Sequence, residues 1–301
     1  MGLIFRVGLC ITFIFLVVDL FGSVLKDSTQ LDTISVDTVK YWKTGGCLTL
    51  NLSQISLSNW SAGGQNSIAA NAILNLTANY ARKQSAWDNT LDFGFGRLKR
   101  EDIRAIKTDD RIDFSTKYGR KIANKWFYSA LLNFKSQAFP GYKYPEKDSL
   151  KISDFLSPGV VFLSIGMDYK PSDNFTLLIS TVTGKTTIVR SRYLSSKNAF
   201  GVDSGKYFRH EFGGYMRLIK KGTIYKLVNY QFKIDAFSNY MVKPENIDWD
   251  CEIMIWAKIN KFISANLKAN LLYDDDVITS PNKGSRIQFR EFIGIGFSYR
   301  F

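Results

Sequence analysis

Side chains that commonly carry covalent or acid–base chemistry are sparse in this chain. The one histidine, His210, sits in Tyr207-Phe208-Arg209-His210-Glu211-Phe212-Gly213-Gly214. Histidine can serve a serine nucleophile as general base, but no serine stands in a recognisable nucleophile motif. By alternation His210 shares a face with Phe208, Phe212 and Met216, so its expected place is the edge of an apolar belt. Thr183-Gly184-Lys185-Thr186 ends like a phosphate loop, yet Ile179 occupies the position of the required first glycine. Asp274-Asp275-Asp276 has the oxygens to hold calcium, but the twelve-residue EF-hand spacing is missing, and a solvated acidic loop is expected. One histidine and 3 cysteines leave no Cys/His zinc pattern. Cys47 and Cys251 are far apart in sequence and are expected to be unpaired small residues. No catalytic residue, metal ligand or cofactor is expected.

The ionic side chains are abundant instead. Lys and Arg number 40 against 27 Asp and Glu, a net charge of +13. What positions them is a period of two. From Ile247 to Ile259 one parity reads Ile247, Trp249, Cys251, Ile253, Ile255, Ala257, Ile259; the other reads Asp248, Asp250, Glu252, Met254, Trp256, Lys258. Successive strand side chains point to opposite faces, so one face is apolar and the other largely charged. The pattern recurs at Val228–Ala236, Ile263–Tyr273, Ile68–Tyr80, Ile112–Tyr118 and Ile287–Phe301, where Glu291 alone breaks the apolar parity. No stretch after Gly45 sustains a helical period, and the chain reads as all-β.

About twelve strands emerge, roughly 46–57, 67–82, 86–98, 110–120, 125–138, 158–170, 174–189, 206–220, 223–239, 247–260, 262–274 and 286–301. Short links (83–85, 122–124, 171–173, 221–222, 260–261) alternate with long ones (58–66, 99–109, 139–157, 190–205, 241–246, 275–285). Short turns at one end and long loops at the other predict a transmembrane antiparallel up-and-down β-barrel. A soluble sandwich also alternates. Strands of about 11 to 17 residues exceed the soluble mode, however, and suit a tilted bilayer span. Aromatics also fall near strand ends (Tyr80, Trp87, Trp126, Phe127, Tyr169, Tyr273, Tyr299). Met1–Ser23 has one cation, Arg6, then an apolar run to Val18 and a Gly22-Ser23 exit, the layout of a signal peptide. An uncleaved anchor is the alternative reading. Residues 24–44 are expected to form a polar periplasmic leader, with 45–301 as the barrel. Mean hydropathy of −0.11 is too polar for a helical membrane protein.

Two resemblances add to this. Gly296-Phe297-Ser298-Tyr299-Arg300-Phe301 resembles the β-signal of bacterial outer-membrane proteins at Gly296, Tyr299 and Phe301. That likeness implies the barrel-assembly machinery as a partner. Trp42-Lys43-Thr44-Gly45-Gly46, Asn51-Leu52-Ser53-Gln54, Ser58-Asn59-Trp60-Ser61-Ala62-Gly63-Gly64, Ala86-Trp87-Asp88-Asn89 and Asp92-Phe93-Gly94 resemble an uncharacterised, unknown-function family of Bacteroidetes-type outer-membrane barrels. The resemblance spans 42–301 and implies the outer membrane of a Gram-negative bacterium, but no substrate. Asn59, Trp60, Gly63 and Gly64 stand out as a loop candidate; a loop that merely turns the chain is the plainer alternative.

Inward parity assigns Arg111, Asp113, Lys117, Arg209, Glu211, Arg217, Lys233, Asp235, Asp248, Asp250, Glu252, Lys258, Arg286 and Arg290 to the lumen. Asp92, Asp168 and Lys268 take the same parity. Two readings stay open: a lumen plugged by ion pairs, or a narrow polar channel for small polar, anionic solutes. A structural or surface-interaction barrel and a lipid-modifying enzyme using His210 are the alternatives. Cations at loops and strand ends (Lys99, Arg100, Arg104, Lys107, Lys143, Lys147, Arg190, Arg192, Lys197) suit lipopolysaccharide phosphates. Nucleic acid is not an expected partner of an exported barrel.

Overall fold

The computed structural model describes residues 41–57, 65–100, 103–143, 150–225, 227–274, 276–280 and 284–301. The expected signal segment, all of the leader up to residue 40, the loop candidate Asn59, Trp60, Gly63 and Gly64, and Asp275 lie outside them.

Twelve strands close into an antiparallel barrel. They are β1 (Trp42–Ile55), β2 (Ser67–Arg82), β3 (Ser85–Arg100), β4 (Ile103–Ala123), β5 (Trp126–Ser136), β6 (Gly159–Ser172), β7 (Phe175–Ile188), β8 (Phe208–Tyr225), β9 (Val228–Asn239), β10 (Ile247–Lys258), β11 (Ile263–Tyr273) and β12 (Gln288–Arg300). Each pairs with its sequence neighbours, and β12 pairs with β1, so the sheet has no free outer strand. The expected boundaries shift in three places. β1 starts at Trp42, because Trp42, Lys43 and Thr44 ladder with Tyr80, Asn79 and Ala78; residues 42–44, expected in the leader, are strand. β4 reaches back to Ile103, absorbing most of the long loop expected there. Gly222 is a ladder residue opposite Tyr230, and β8 runs on to Tyr225, so the turn comes later than the Lys221-Gly222 pair suggested.

The alternation resolves as an outside and an inside. Outward positions such as Leu163, Ile165, Ile293 and Ile295 are exposed aliphatics. Aromatics ring both ends of this belt. At the short-turn end Trp42 packs on Tyr80 and Trp87, and Trp126 on Tyr169. At the long-loop end Phe212 meets Tyr240 and Trp249 meets Tyr273. Rings with an apolar body and a polar edge settle at the two membrane interfaces, with aliphatic side chains between them.

The long-loop end is partly built over. Between β7 and β8 a short helix, Arg192–Ser195, and a 3-10 turn, Ala199–Gly201, bury Val189, Leu194 and Val202 together. Lys107 at the top of β4 donates to Asp110, Gln137 and Ser153, tying the 137–158 connection to the barrel.

Candidate functional site in the barrel lumen

The lumen is filled unevenly. On β5 to β9 the inward side chains are buried. Leu131, Phe162, Leu178, Tyr215 and Phe237, one from each strand, form an apolar cluster inside the barrel. Phe162 lies 5.1 Å from the Tyr215 ring and 5.8 Å from Phe237. Sequence alternation missed this cluster. In 126–136 both parities carry apolar residues, and only Asn133 and Lys135 marked the inner face.

Around the cluster, ions brace the barrel between strands that face each other. Arg111 on β4 pairs with Glu252 on β10, six places round the ring, and Lys268 of β11 joins Glu252 at 2.9 Å. Lys233 of β9 reaches Asp113 of β4 at 2.9 Å. Arg217 donates to Asp235 at 2.6 and 3.0 Å and to Ser115 of β4 at 2.8 Å. Tyr215 donates its hydroxyl to Asp235 at 2.8 Å. Lys135 of β5 sits 2.9 Å from both Asp235 and Asp250. Nearer the short turns Lys117 meets Asp168 at 2.6 Å, and Lys170 meets Asp88 at 3.0 Å. Charges removed from water persist only when paired and hydrogen-bonded, and each here has its counter-ion.

A second cluster sits at the long-loop end. Lys185 contacts Asp248 at 2.7 Å, Glu211 at 3.5 Å and Asp274 at 3.7 Å. Arg209 bridges Glu211 at 3.3 Å and Asp276 at 2.8 Å, and donates to the Gly201 carbonyl at 3.2 Å. Thr183-Gly184-Lys185-Thr186 is thus strand, with Lys185 as a hub. Asp248, Asp274 and Asp276 lie close enough to share a cation. The ammonium of Lys185 and the guanidinium of Arg209 already occupy that role. Burial and the charges of Asp248 and Asp276 push the Asp274 carboxyl up to about 6, against the pull of Lys185.

Of the expected lumen residues, Arg111, Asp113, Lys117, Arg209, Glu211, Arg217, Lys233, Asp235, Asp248, Asp250 and Glu252 enter these networks. Arg290 pairs with Asp109 at 2.5 Å and is half exposed. Lys258 and Arg286 do not join: Lys258 is exposed at the end of β10, and Arg286 precedes β12 and is exposed. Lys135, Asp88, Lys170, Lys185 and Asp274 complete the network. Lys107, expected to face lipopolysaccharide, is instead held within the 137–158 connection. His210 faces outward, stacked on Phe208, with Nδ1 3.0 Å from the Thr186 hydroxyl. Among the described residues nothing assembles a Ser–His–acid arrangement around it. Gly296 lines the inner face, while Tyr299 and Phe301 stack outside and Phe301 pairs with Gly46.

The opposite wall, β11, β12, β1, β2 and β3, differs. Its inward side chains include Asn51, Asn71, Asn75, Asn266, Asn270, Gly294 and Gly296, beside the charged Asp88, Asp92, Lys268 and Arg290 and the ring of Phe292; most are less deeply buried than those of β5 to β9, with Thr49, Ile73 and Ser264 as buried exceptions.

Residues 52–142 match a family described as "Protein of unknown function (DUF3078)". The match is narrower than the 42–301 span of the motif resemblance and contains the Asn59–Gly64, Ala86–Asn89 and Asp92–Gly94 stretches. A search of curated proteins finds no match. Solved structures with a similar course include an outer-membrane channel from Pseudomonas putida F1, with 9% identity, TM-score 0.40, and coverage of 89% of this chain and 100% of that one. The translocator domain of the autotransporter NalP from Neisseria meningitidis shares 9% identity, with TM-score 0.31 and coverage of 88% and 90%. Salmonella typhi OmpF shares 6%, with TM-score 0.30 and coverage of 86% and 97%.

Proposed function

We propose that the protein is an outer-membrane barrel through which small polar solutes pass on the less deeply buried side of the lumen, beside β11, β12, β1, β2 and β3. The observation that carries this reading is the asymmetry of the lumen. An apolar cluster and deeply buried ion pairs fill the half formed by β5 to β9, while the other half carries many amides and glycines, with fewer charges, at shallower burial. The apolar outer belt and its two aromatic girdles support a bilayer setting. Insertion by the barrel-assembly machinery, through the terminal Gly296, Tyr299 and Phe301, belongs to the same proposal. So does contact of the loop cations with lipopolysaccharide phosphates. The protein does no covalent chemistry in this reading, and His210 is a girdle residue.

Strong anion preference does not follow from the inward Arg and Lys, because those on the inner wall are matched by carboxylates. Purified protein in planar bilayers is expected to give small, steady conductance steps with weak preference for either sign of ion. Silence from correctly folded protein at high dose overturns the channel reading. It favours a braced, non-conducting surface barrel, a reading supported by the packed Val189, Leu194 and Val202 over the long-loop end.

A further inference from the structure

The short-turn end of the barrel carries a basic edge. Residues 81–87 and 119–129, around the β2–β3 and β4–β5 turns, contain no Asp or Glu. Arg82, Lys83, Arg120, Lys121 and Lys125 stand exposed there, and none pairs with a carboxylate among the described residues. The two turns are tied together by the Lys121 amide, which donates to the Gln84 carbonyl at 2.7 Å. Arg82 and Arg120 share the outward parity of Tyr80 and Tyr118, and the ladder sets Ser85 opposite both. Adjacent strands lie about 4.8 Å apart, so the two arginines flank that serine with their backbones about 10 Å apart. The Arg82 guanidinium lies over the Tyr41 ring, 4.8 Å from its centre.

Below that edge the outer face of β2, β3 and β4 changes in steps. The ladder aligns Tyr80, Trp87 and Tyr118 in the next outward row, then Ala78, Asn89 and Thr116, then Leu76, Leu91 and Phe114. Asn89 and Thr116 interrupt the apolar outward parity, and hydrogen bonds join them to their neighbours. Trp87 Nε1 donates to the Thr116 hydroxyl at 2.7 Å, that hydroxyl to Asn89 Oδ1 at 2.7 Å, and Asn89 Nδ2 to the Ala78 carbonyl at 2.9 Å. A side-chain amide has two N–H donors, so this chain leaves one over. Beside it opens a hollow of about 380 Å³, lined by Leu76, Leu91, Phe114 and Phe301 and by the polar Thr44 and Asn89.

We propose that the outer face of β2, β3 and β4 at the short-turn end binds an anionic phospholipid of the adjoining leaflet. Cations, rings, amide and hydrocarbon follow one another down this face as phosphate, glycerol, ester and acyl chain follow one another along such a lipid. The phosphate lies between Arg82 and Arg120, since guanidinium groups suit phosphate oxygens, and Lys83 and Lys121 add to the positive field. An ester carbonyl accepts from the remaining N–H of Asn89, and an acyl chain fills the hollow against Leu76, Leu91 and Phe114. The anion is a membrane lipid because both arginines stand directly above the apolar belt, not over the barrel mouth. Lipopolysaccharide belongs to the other leaflet, beside the long loops. The site rests on the bilayer setting of the barrel, but not on conduction through its lumen.

The test places the full chain in phosphatidylcholine vesicles with a small fraction of a probe lipid that carries a photoreactive group in its acyl tail. The probe's head is either phosphatidylglycerol or phosphatidylcholine. The phosphatidylglycerol probe is expected to label 76–91 and 114–116 severalfold more than the phosphatidylcholine probe. Because the arginines are exposed, high salt is expected to shrink that preference in the unaltered protein. Arg82→Gln combined with Arg120→Gln is expected to bring the two probes level while the heat-modifiable barrel is retained. Ala78→Phe, which fills the hollow, is expected to lower labelling there by both probes. Equal labelling by the two probes in the unaltered protein, a preference untouched by salt or by the arginine pair, or labelling spread evenly round the outer face overturns the site. Full competition by soluble glycerol phosphate, which has no tail, overturns it too. Preferential labelling here in a protein that conducts nothing upholds the site and sinks the channel reading; conduction with no head-group preference does the reverse.

Discussion

Asp235 takes hydrogen bonds from Arg217 and Tyr215 and faces Lys135 in the filled half of the lumen, so its loss leaves Arg217 without its carboxylate and Lys135 with Asp250 alone. Breaking a buried pair from one side costs about 3–5 kcal/mol. Asp235→Ala is expected to lower stability by that order, seen as a lower midpoint for loss of the compact, unheated gel form. Asp274 behaves oppositely. Its native carboxyl holds a proton up to about 6, whereas the unfolded chain releases it near 3.8. Between those values the folded state binds more protons, so this group's contribution to stability falls as pH rises through the window. Asp274→Asn, which mimics the neutral form, is therefore expected to stabilise the barrel at pH 7.5 by up to about 3 kcal/mol. That advantage should fall to about a third at pH 4.5 and vanish below about pH 3. An advantage independent of pH, in unfolding midpoints at the two values, would show that Asp274 is ionised in the native protein at both.

Strands were legible because lipid-facing and lumen-facing residues had to alternate, and the outer parity is almost purely apolar. Ile247–Lys258 and Ile263–Tyr273 appear nearly as alternation drew them. The β8–β9 turn was misplaced for a physical reason: Gly222 looks like a turn residue, but it makes room in the ladder for the Tyr230 ring. Where β12 meets β1, Phe301 contributes two backbone hydrogen bonds and a ring over Gly46. Deleting Phe301 is expected to reduce the fraction of inserted, heat-modifiable barrel severalfold. Gly46→Leu, which collides with the same ring, should act in the same direction. Normal insertion by both variants, read from membrane fractions, would show that the end of β12 is dispensable for closure.

For the whole barrel, the excess of positive charge proves a poor guide to its interior. Inward cations and carboxylates largely cancel, so the surplus belongs to the outside and to the loops. Conductance, where present, is accordingly expected to change little in sign preference when Arg290→Gln is introduced; a shift to strong cation selectivity would restore Arg290 as a selectivity filter. The sequence alone determined the all-β class, the number of strands, their up-and-down order and which parity faces outward. Each of these follows from side-chain alternation and link length, which are local. Tertiary structure alone decided which charges meet and which half of the lumen is solid. It also decided that Lys185 and Asp274, far apart in the chain, share one cluster. Those outcomes depend on how the sheet curves and which strands face each other across the ring, distances that no period of two encodes.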